Sequence, residues 1–393
     1  MLNFYSTNKY MIKFINNKDF MLQEFINNLL TEMLEKFKDD MKNIKKGECI
    51  EIKSKYFKIQ KDIIRWKKVR KKKIPQVIYN IIFNENVIGQ FLLRSIQKQD
   101  KPYYRYINGK VLNNLRKIIP NFNYIYNLLE IEKSVLDIAN KETILCYKQE
   151  RYSKINYLFS EFNESRVLKN VKKEDVNIDM IIQMIFQLLF ALKIANIKYK
   201  FNFGYLVMNS ILVIPLEKEY LLSYIIENDE GKKIKYNLNT SYIFKLYNYK
   251  DSYIIYDGKE IQPEANQNND LFYLILTSLK FMYIRKMKNV EEYKNILFKY
   301  LEDEFFQDFT EETKNIHINI LKNNKEYINI DSYSKIEYNR NISNSFDHFL
   351  NYIFNEFSNL SFDKELKQKY YKDEKNIYHK SNVLEGYNQY IKY

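Results

Sequence analysis

Residues 180–192, MIIQMIFQLLFAL, form the most apolar stretch of the chain and mark the centre of its predicted core. The run is shorter than the roughly 20 apolar residues that a membrane-spanning helix needs, and Gln183 and Gln187 interrupt it. We therefore interpret residues 179–195 as a buried core helix.

The chain before this helix is predicted to contain helices and a small antiparallel sheet. Residues 18–45 place apolar residues near helical spacing behind Asn17, a suitable cap, and a second helix covers residues 103–118, stopped by Pro120. Runs rich in Ile, Val, Phe and Tyr, with breaks at 71–75 and 84–86, predict strands. These strands cover residues 51–59, 76–83, 88–96, 124–132 and 143–147, and the last two are expected to pair.

The chain after the core helix is predicted to form short strands and then helices. The strands cover residues 205–214, 220–226, 234–249 and 252–256. Residues 227–231 are typical of a hairpin turn, in which Gly231 can take a positive φ. The pattern is helical from residue 270 to about 320, and the polar tail from residue 363 is expected to be loosely ordered.

These elements predict an α+β fold with two lobes, a small antiparallel sheet lobe followed by a mainly helical lobe. We divide the chain into an N-terminal helical extension, the two lobes and a C-terminal extension that is partly loosely ordered. The divisions are residues 1–50, 51–150, 151–330 and 331–393, and the boundary between the lobes falls near 150–163.

The composition excludes several classes of protein. The two cysteines, Cys49 and Cys146, belong to no CxxC pair, which argues against a disulfide scaffold and a zinc ribbon. The histidines share no ligand spacing, so we expect no metal site built on Cys and His. The N-terminus lacks the apolar segment of a secretory signal. The net charge of +14 indicates either an anionic partner or a coding sequence rich in A and T.

Four segments resemble, in order and spacing, the protein-kinase-like proteins of large DNA viruses. Residues 113–122, NNLRKIIPNF, match an N-x-L-R stretch followed by P-N-F, which lies before the apolar helix in that family. Residues 201–212, FNFGYLVMNSIL, resemble its catalytic loop, F-T-H-x-D-L-H-x-x-N-I-L. Residues 254–258, IIYDG, resemble its I-I-D-F-G strand end, and residues 269–272, NDLF, resemble the start of the helix that supports the loop.

The resemblance implies a two-lobed protein-kinase-like fold whose catalytic positions are degenerate. Tyr205 occupies the position of the catalytic Asp, and Ser210 that of the metal-binding Asn, although Asn209 lies one residue away. Tyr256 occupies the position of the metal-binding Asp, and Asp257 follows it. A phenol is a poor acceptor for a hydroxyl proton, and Asp257 faces the other side of the strand unless a bulge turns it.

The resemblance assigns two further polar positions in the chain. Arg94 either takes the place of the strand Lys or is an ordinary exposed strand arginine. The helix Glu falls near Tyr104 and Arg105, where no carboxylate is present. Asp270 matches an Asp whose role in the family is structural: it begins a buried helix and accepts backbone N–H groups from the catalytic loop. The residues that could still hold nucleotide or metal are therefore Arg94, Asn209 and Asp257.

These assignments predict a catalytically impaired kinase-like protein that acts as a binding or scaffold module with a protein partner, in the host cytoplasm or the virion. One alternative is an active, divergent Ser/Thr kinase that uses ATP and Mg²⁺. Another is a basic nucleic-acid- or virion-associated structural protein. A nucleic acid or an anionic surface would contact the densest basic run, which we also interpret as a solvated hairpin tip. Its basic residues are Arg65, Lys67, Lys68, Arg70, Lys71, Lys72 and Lys73.

Overall fold

Helix α1, Asn17–Asn43, begins the part of the chain that the structure describes. This computed structural model describes residues 17–45, 47–51, 58–69, 72–83, 86–95, 102–131, 134–135, 144–149, 155–161, 166–227, 231–262, 270–288, 290–306, 309–323, 346–359 and 370–373. The chain divides into two units. The first contains Met1–Lys117 and Asn123–Glu164, and the second contains Ile118–Phe122 and Ser165–Tyr393.

The first unit is built on antiparallel strands and two helices. Strands β1, β2, β3 and β4 are Cys49–Glu51, Lys58–Val69, Lys72–Phe83 and Asn86–Ser95. Helix α2 is Pro102–Asn113, and strands β5, β6, β7 and β8 are Ile125–Ile131, Ser134–Val135, Ile144–Gln149 and Ile155–Glu161. One sheet has the order β2-β3-β4-β8-β5, and a smaller one has the order β1-β7-β6.

Helix α1 packs on strand β5 because one of its faces is apolar along most of its length. Ile26, Leu30, Leu34 and Phe37 are buried and recur three or four residues apart, which places them on one side of a helix. Beyond α2 the chain forms a short 3-10 turn, Asn114–Lys117. The predicted helices of this half are confirmed, with ends shifted by a few residues.

The strands of the first unit differ from the prediction in their pairing and in their bounds. The strands predicted over residues 124–132 and 143–147 exist as β5 and β7, but β5 pairs with β8, while β7 pairs with β1 and β6. The predicted break at residues 71–75 is also wrong, because β3 begins at Lys72 and continues through Pro75. A strand pattern shows which segments are extended, but it does not show which partner each one chooses.

The second unit surrounds helix α3, Ile178–Tyr199, the predicted core helix. The Asn177 side chain caps it by accepting a hydrogen bond from the Met180 amide at 2.8 Å. Among the described residues, α3 is the one helix long and apolar enough to cross a membrane, and 83% of its most apolar window is buried inside the protein. Its burial agrees with the prediction of a core helix.

A long hairpin packs on α3, and helices follow. Strand β9, Arg166–Val167, pairs with β10, Ile211–Glu227, which pairs with β11, Lys233–Leu246, and Gly231 has a φ of 77° in the turn. Strands β12 and β13 are Ile254–Tyr256 and Lys259–Ile261. Helices α4, α5, α6 and α7 are Asp270–Ile284, Glu291–Tyr300, Glu311–Asn323 and Phe346–Asn359, with a π-helical turn at Leu301–Phe305.

The C-terminal part of the chain belongs to the second unit. Helix α7 packs on α3, where Asp347 forms an ion pair with the buried Lys193, and Phe354 lies 4.4 Å from Phe186 between ring centroids. Strand β14, Tyr370–Asp373, extends the sheet beside β11 in the order β14-β11-β10-β9. Other residues of the tail predicted to be loosely ordered, 363–369 and 374–393, lie outside the described residues. The described fold is thus mixed α+β, with small antiparallel sheets and several helices.

Candidate functional site

The segment that follows helix α3 crosses the second unit as a buried loop. Lys200 ends the helix with a φ of 48°, and the next residues, Phe201 to Gly204, are buried. Asn202 forms an isolated antiparallel bridge with Tyr253, in which each backbone amide donates to the other's carbonyl at 2.8–3.0 Å. The Ser252 hydroxyl also donates to the Phe203 carbonyl at 3.1 Å. The loop is therefore held by the segment that precedes β12.

Asp270, the first residue of helix α4, holds the same loop from another side. Its two carboxylate oxygens accept hydrogen bonds from the amides of Phe203, at 2.7 Å, and Gly204, at 3.0 Å. The side chain is 3% exposed. Burial raises the pKa of Asp270 to about 7, against the opposing effect of these two hydrogen bonds. The contact expected between Asp270 and the backbone of this loop is therefore present.

Helix α4 makes a second contact with the loop two turns further along. The Thr277 hydroxyl donates to the Leu206 carbonyl at 2.9 Å. Residues 270 and 277 are seven apart, so both lie on the face of α4 that is turned toward the loop. Tyr273 lies between them, and its ring centroid is 5.6 Å from that of Tyr205. The Tyr205 ring thus packs against the supporting helix.

The residues predicted to replace the metal-binding Asn lie in a 3-10 turn, Met208–Ser210, and not in a strand as expected. Ser210 is 1% exposed, and its backbone carbonyl accepts a hydrogen bond from the Tyr247 amide at 3.0 Å. Asn209 is exposed instead. The turn therefore buries Ser210 and leaves the Asn209 side chain in solvent.

The segment predicted to resemble a metal-binding triplet is a tight hairpin. Asp257 and Gly258 have φ values of 48° and 72° and join β12 to β13, and a positive φ at both central residues is typical of a type I′ turn. The β12–β13 register is continuous, so the bulge that would turn Asp257 is absent there. Asp257 is exposed, and Tyr256 is 37% exposed with its ring 6.0 Å from Tyr199. The Asp-Gly dipeptide between two short extended runs was the sequence signal for this turn.

The remaining predicted positions lie in the first unit. Arg94 lies on strand β4, opposite Asn156 of β8. The basic run lies where β2 and β3 pair with each other, with Lys68 opposite Lys73 and Val69 opposite Lys72. Arg70 and Lys71 lie outside the described residues. Tyr104 and Arg105 lie on helix α2, as the prediction requires of the helix position.

Two clusters of buried polar side chains were not predicted from the sequence. In the first unit, Arg116 forms an ion pair with Glu161, whose oxygens lie 3.3 Å from the guanidinium nitrogens. In the second unit, Asn121 donates to the Gln187 side chain at 3.1 Å and to the Phe244 carbonyl at 2.8 Å, and it accepts from the Tyr224 hydroxyl at 3.0 Å. Glutamines in an apolar helix were the signal for the second group, since a buried amide needs partners.

The loop and its supports have little chemistry of their own. Residues 201–212 contain no acidic, basic or histidine residue, and both oxygens of Asp270 already accept backbone hydrogen bonds. Among the described residues, no three His, Cys, Asp or Glu side chains are grouped so that they could hold a metal ion. Against known proteins, no family model matches the chain, and no curated protein matches it significantly.

Proposed function

We propose that this chain is a protein-kinase-like protein that does not transfer phosphate and acts as a binding or scaffold module. The observation that carries the proposal is the pair of hydrogen bonds from Phe203 and Gly204 to the buried Asp270. The resemblance to viral kinase-like proteins implies this contact between the supporting helix and the catalytic loop. The contact is present in a loop, residues 201–212, that contains no carboxylate.

Phosphoryl transfer depends on positioned charges, and the loop offers none. A kinase uses a catalytic-loop Asp to accept the substrate hydroxyl proton and a nearby Asn to bind the second metal ion. Tyr205 stands at the first of these positions, and its ring packs on Tyr273. Ser210 stands at the second and is buried. Loss of both groups removes most of the electrostatic stabilisation on which the reaction depends.

A backbone contact of Ser210 suggests that the position of the metal-binding Asp corresponds to another segment of this chain, and not to residues 256–258. In a kinase the catalytic-loop Asn and the metal-binding Asp hold the same metal ions, so they must lie close together. The residue whose amide donates to the Ser210 carbonyl is Tyr247, directly after strand β11. Residues 247–249 are Tyr-Asn-Tyr, so this position lacks a carboxylate as well.

The alternative of an active kinase needs Asp257 to work with Asn209. Asp257 lies at the turn of the β12–β13 hairpin and is exposed, which gives this alternative less support than the scaffold proposal. A protein partner and a location in the host cytoplasm or the virion remain parts of the proposal.

The test is a phosphotransfer assay on the full chain with labelled ATP and either Mg²⁺ or Mn²⁺. We expect no transfer to generic protein acceptors or to the chain itself, because Tyr205 is a poor general base and a buried serine, Ser210, stands in place of the metal-binding Asn. The matched variant is Asp257→Ala. Transfer by the parent that disappears in Asp257→Ala would contradict the proposal and support the active kinase.

A second candidate function, binding of double-stranded DNA, is favoured by the shape of the β2–β3 hairpin. The pairing of β3 with β4 stops at Val77 opposite Leu93, whereas the pairing of β3 with β2 continues to Lys72 opposite Val69. Among the described strands, the last five residue pairs of β2 and β3 therefore form a two-stranded ribbon, about 16 Å long at the usual rise of a strand. We call residues 65–69 and 72–76, with their two-residue connection, the basic ribbon.

The basic ribbon carries charge of one sign. The twelve residues from 65 to 76 contain seven Lys or Arg and no acidic residue, which equals half of the net charge of +14. Lys68 lies directly opposite Lys73, an arrangement that destabilises a strand pair by itself. A coding sequence rich in A and T would raise Lys throughout the chain, so it does not account for this concentration.

The distribution of the charges over the ribbon favours a groove over a membrane surface. Since opposed residues share a face, the register places Arg65, Lys67 and Lys72 on one face, and Lys68 and Lys73 with Trp66 on the other. A ribbon in the major groove has phosphates on both sides, and the groove is wide enough for two strands. A membrane would meet only one face.

The test compares two charge variants of the full chain in fluorescence anisotropy with a mixed-sequence DNA duplex over a salt series. The ribbon variant replaces Arg65, Lys67, Lys68, Lys72 and Lys73 with Gln. The control replaces five exposed lysines of the second unit, Lys172, Lys173, Lys259, Lys288 and Lys299, with Gln. Both variants lose the same net charge.

We expect the ribbon variant to bind at least tenfold more weakly at low salt and to lose about 4 from the slope of log K against log salt, because each phosphate contact contributes about 0.9. The control should keep the parent's slope. Equal losses in both variants would reduce the effect to net charge, and ribbon-dependent binding of anionic vesicles in preference to the duplex would replace DNA with a membrane.

A further inference from the structure

The two cysteines of the chain lie directly opposite each other in a pair of strands. Strand β1 pairs with β7 in antiparallel register, with Cys49 opposite Cys146, Ile50 opposite Leu145 and Glu51 opposite Ile144. Both strands belong to the first unit. The sequence gives no hint of this, because 96 residues separate the two positions and neither cysteine has a neighbouring one.

Opposed positions in an antiparallel pair meet the distance requirement of a disulfide. Their Cα atoms lie about 4.5 or 5.5 Å apart, depending on whether the pair exchanges hydrogen bonds. Cysteines joined by a disulfide usually have Cα atoms about 4.4–6.8 Å apart. Because opposed residues also share a face of a sheet, the backbone register of Cys49 and Cys146 is one that a disulfide can join.

We propose that Cys49 and Cys146 form a reversible disulfide that joins β1 to β7 when the chain meets a small disulfide oxidant such as oxidised glutathione. One thiolate attacks the oxidant and releases one molecule of its thiol. The second thiolate then attacks the resulting mixed disulfide and releases the other molecule. Two electrons pass from the protein to the oxidant, and the two protons leave with the two released thiols.

The bond would act at a weak point of the first unit. Strand β1 has three residues and pairs only with β7 among the described strands, so few backbone hydrogen bonds hold it. It follows helix α1 closely in the chain. A cross-link between residues 49 and 146 would close a long loop and hold the chain at the end of α1 on the sheet, which restricts the unfolded state strongly. When both cysteines are reduced, this attachment would depend on the backbone pairing of β1 with β7.

The first test measures the oxidation of the reduced full chain by oxidised glutathione under native conditions and in denaturant. We expect the native chain to lose both free thiols and about 2 Da as a monomer, since two hydrogens leave. Digestion should give a linked peptide that contains both cysteines. The native chain should close at least ten times faster than the denatured one. A lasting glutathione adduct, a covalent dimer or unreacted thiols in the native chain would overturn the proposal.

The register supplies a matched control. In Leu145→Cys/Cys146→Ser the second thiol moves by one residue, to the position opposite Ile50 and onto the other face of the sheet. This variant should stop at the mixed disulfide, while its thermal unfolding in the reduced form stays near that of Cys146→Ser. Equally rapid closure in this variant would show that proximity alone, and not the β1–β7 register, explains the bond.

Discussion

At the scale of the residue, Asp270 shows how one carboxylate holds the backbone of the candidate site. A carboxylate at the start of a helix is stabilised by unpaired amides and by the helix dipole. Here the amides that it binds belong to the loop, those of Phe203 and Gly204. The residue is therefore suited to positioning a loop.

We predict that Asp270→Ala lowers the free energy of unfolding by about 1–3 kcal/mol, because it leaves two buried amides without their acceptor. Hydrogen exchange should accelerate over residues 201–206, and the exposed Asp257→Ala serves as the control. If the loop stays as protected in Asp270→Ala as in the parent, this carboxylate does not position it.

The same residue gives the loop a dependence on pH. The pKa of Asp270 rises from its ordinary value of 3.8 to about 7 in the folded protein. Between these values the Asp270 carboxyl group is protonated in the folded state and ionised in the unfolded state. Proton binding by Asp270 therefore stabilises the folded protein fully below about pH 4, and this stabilisation is lost as the pH rises through 7. The free-energy difference between the parent and Asp270→Ala should thus be larger at pH 5 than at pH 8 in denaturant unfolding. A difference that grows with pH would show that the hydrogen bonds outweigh burial.

At the scale of elements, the sequence was most informative where a helix contains a long apolar run or carries an apolar face. Helix α3 is predicted almost to its ends because an apolar run with few polar residues has one stable environment, the core. Helix α1 was also predicted, although Phe25, one of its apolar residues, is exposed. Periodicity identifies a helix, but it assigns the edge of the buried face less well.

Segments whose conformation depends on distant partners were predicted less well. Residues 205–207 have a strand-like composition but form part of the loop held by Asp270 and Thr277, whose contacts are 60 or more residues away in the chain. The break was predicted to extend to Pro75, yet this residue lies in the basic ribbon, where β3 pairs with β2 alone among the described strands and a proline is tolerated. Such outcomes depend on sheet topology, which local composition does not encode.

The candidate site shows the same division. The contact of Asp270 with the loop was predicted from the order of the motifs. The position beside Ser210 was not, because the hairpin β10–β11 returns Tyr247 to the loop over a separation of 37 residues. Motif order pointed instead to residues 256–258, which lie in a separate hairpin.

At the scale of the whole molecule, the chain crosses between its two units three times. Residues 118–122 lie between segments of the first unit but belong to the second. Asn121 shows the reason, since it is fully buried and its contacts are with Gln187 on α3, Tyr224 on β10 and Phe244 on β11. Its backbone carbonyl also accepts from the Leu246 amide at 2.7 Å. This short segment is thus part of the core of the second unit.

We predict that Asn121→Ala destabilises the second unit selectively. The substitution leaves the Tyr224 hydroxyl and the Phe244 carbonyl without a partner in the core, and a buried polar group without its hydrogen bond costs about 1–3 kcal/mol. Burial raises the pKa of Tyr224 far above its ordinary value, so the hydroxyl stays protonated and still needs an acceptor. Hydrogen exchange followed by peptide mass analysis should show faster exchange over α3, β10 and β11 than in the parent, with strands β3 and β4 unchanged.

The reciprocal control is Asn127→Ala on strand β5 of the first unit. Asn127 donates to the Thr31 hydroxyl at 3.3 Å and accepts from the Leu128 amide at 2.8 Å, and both contacts lie within that unit. This variant should accelerate exchange in α1 and β5 and leave α3 protected. The comparison of the two variants therefore tests whether the two units unfold independently of each other. If each accelerates exchange throughout the chain to the same extent, the units unfold together, and residues 118–122 link their stabilities.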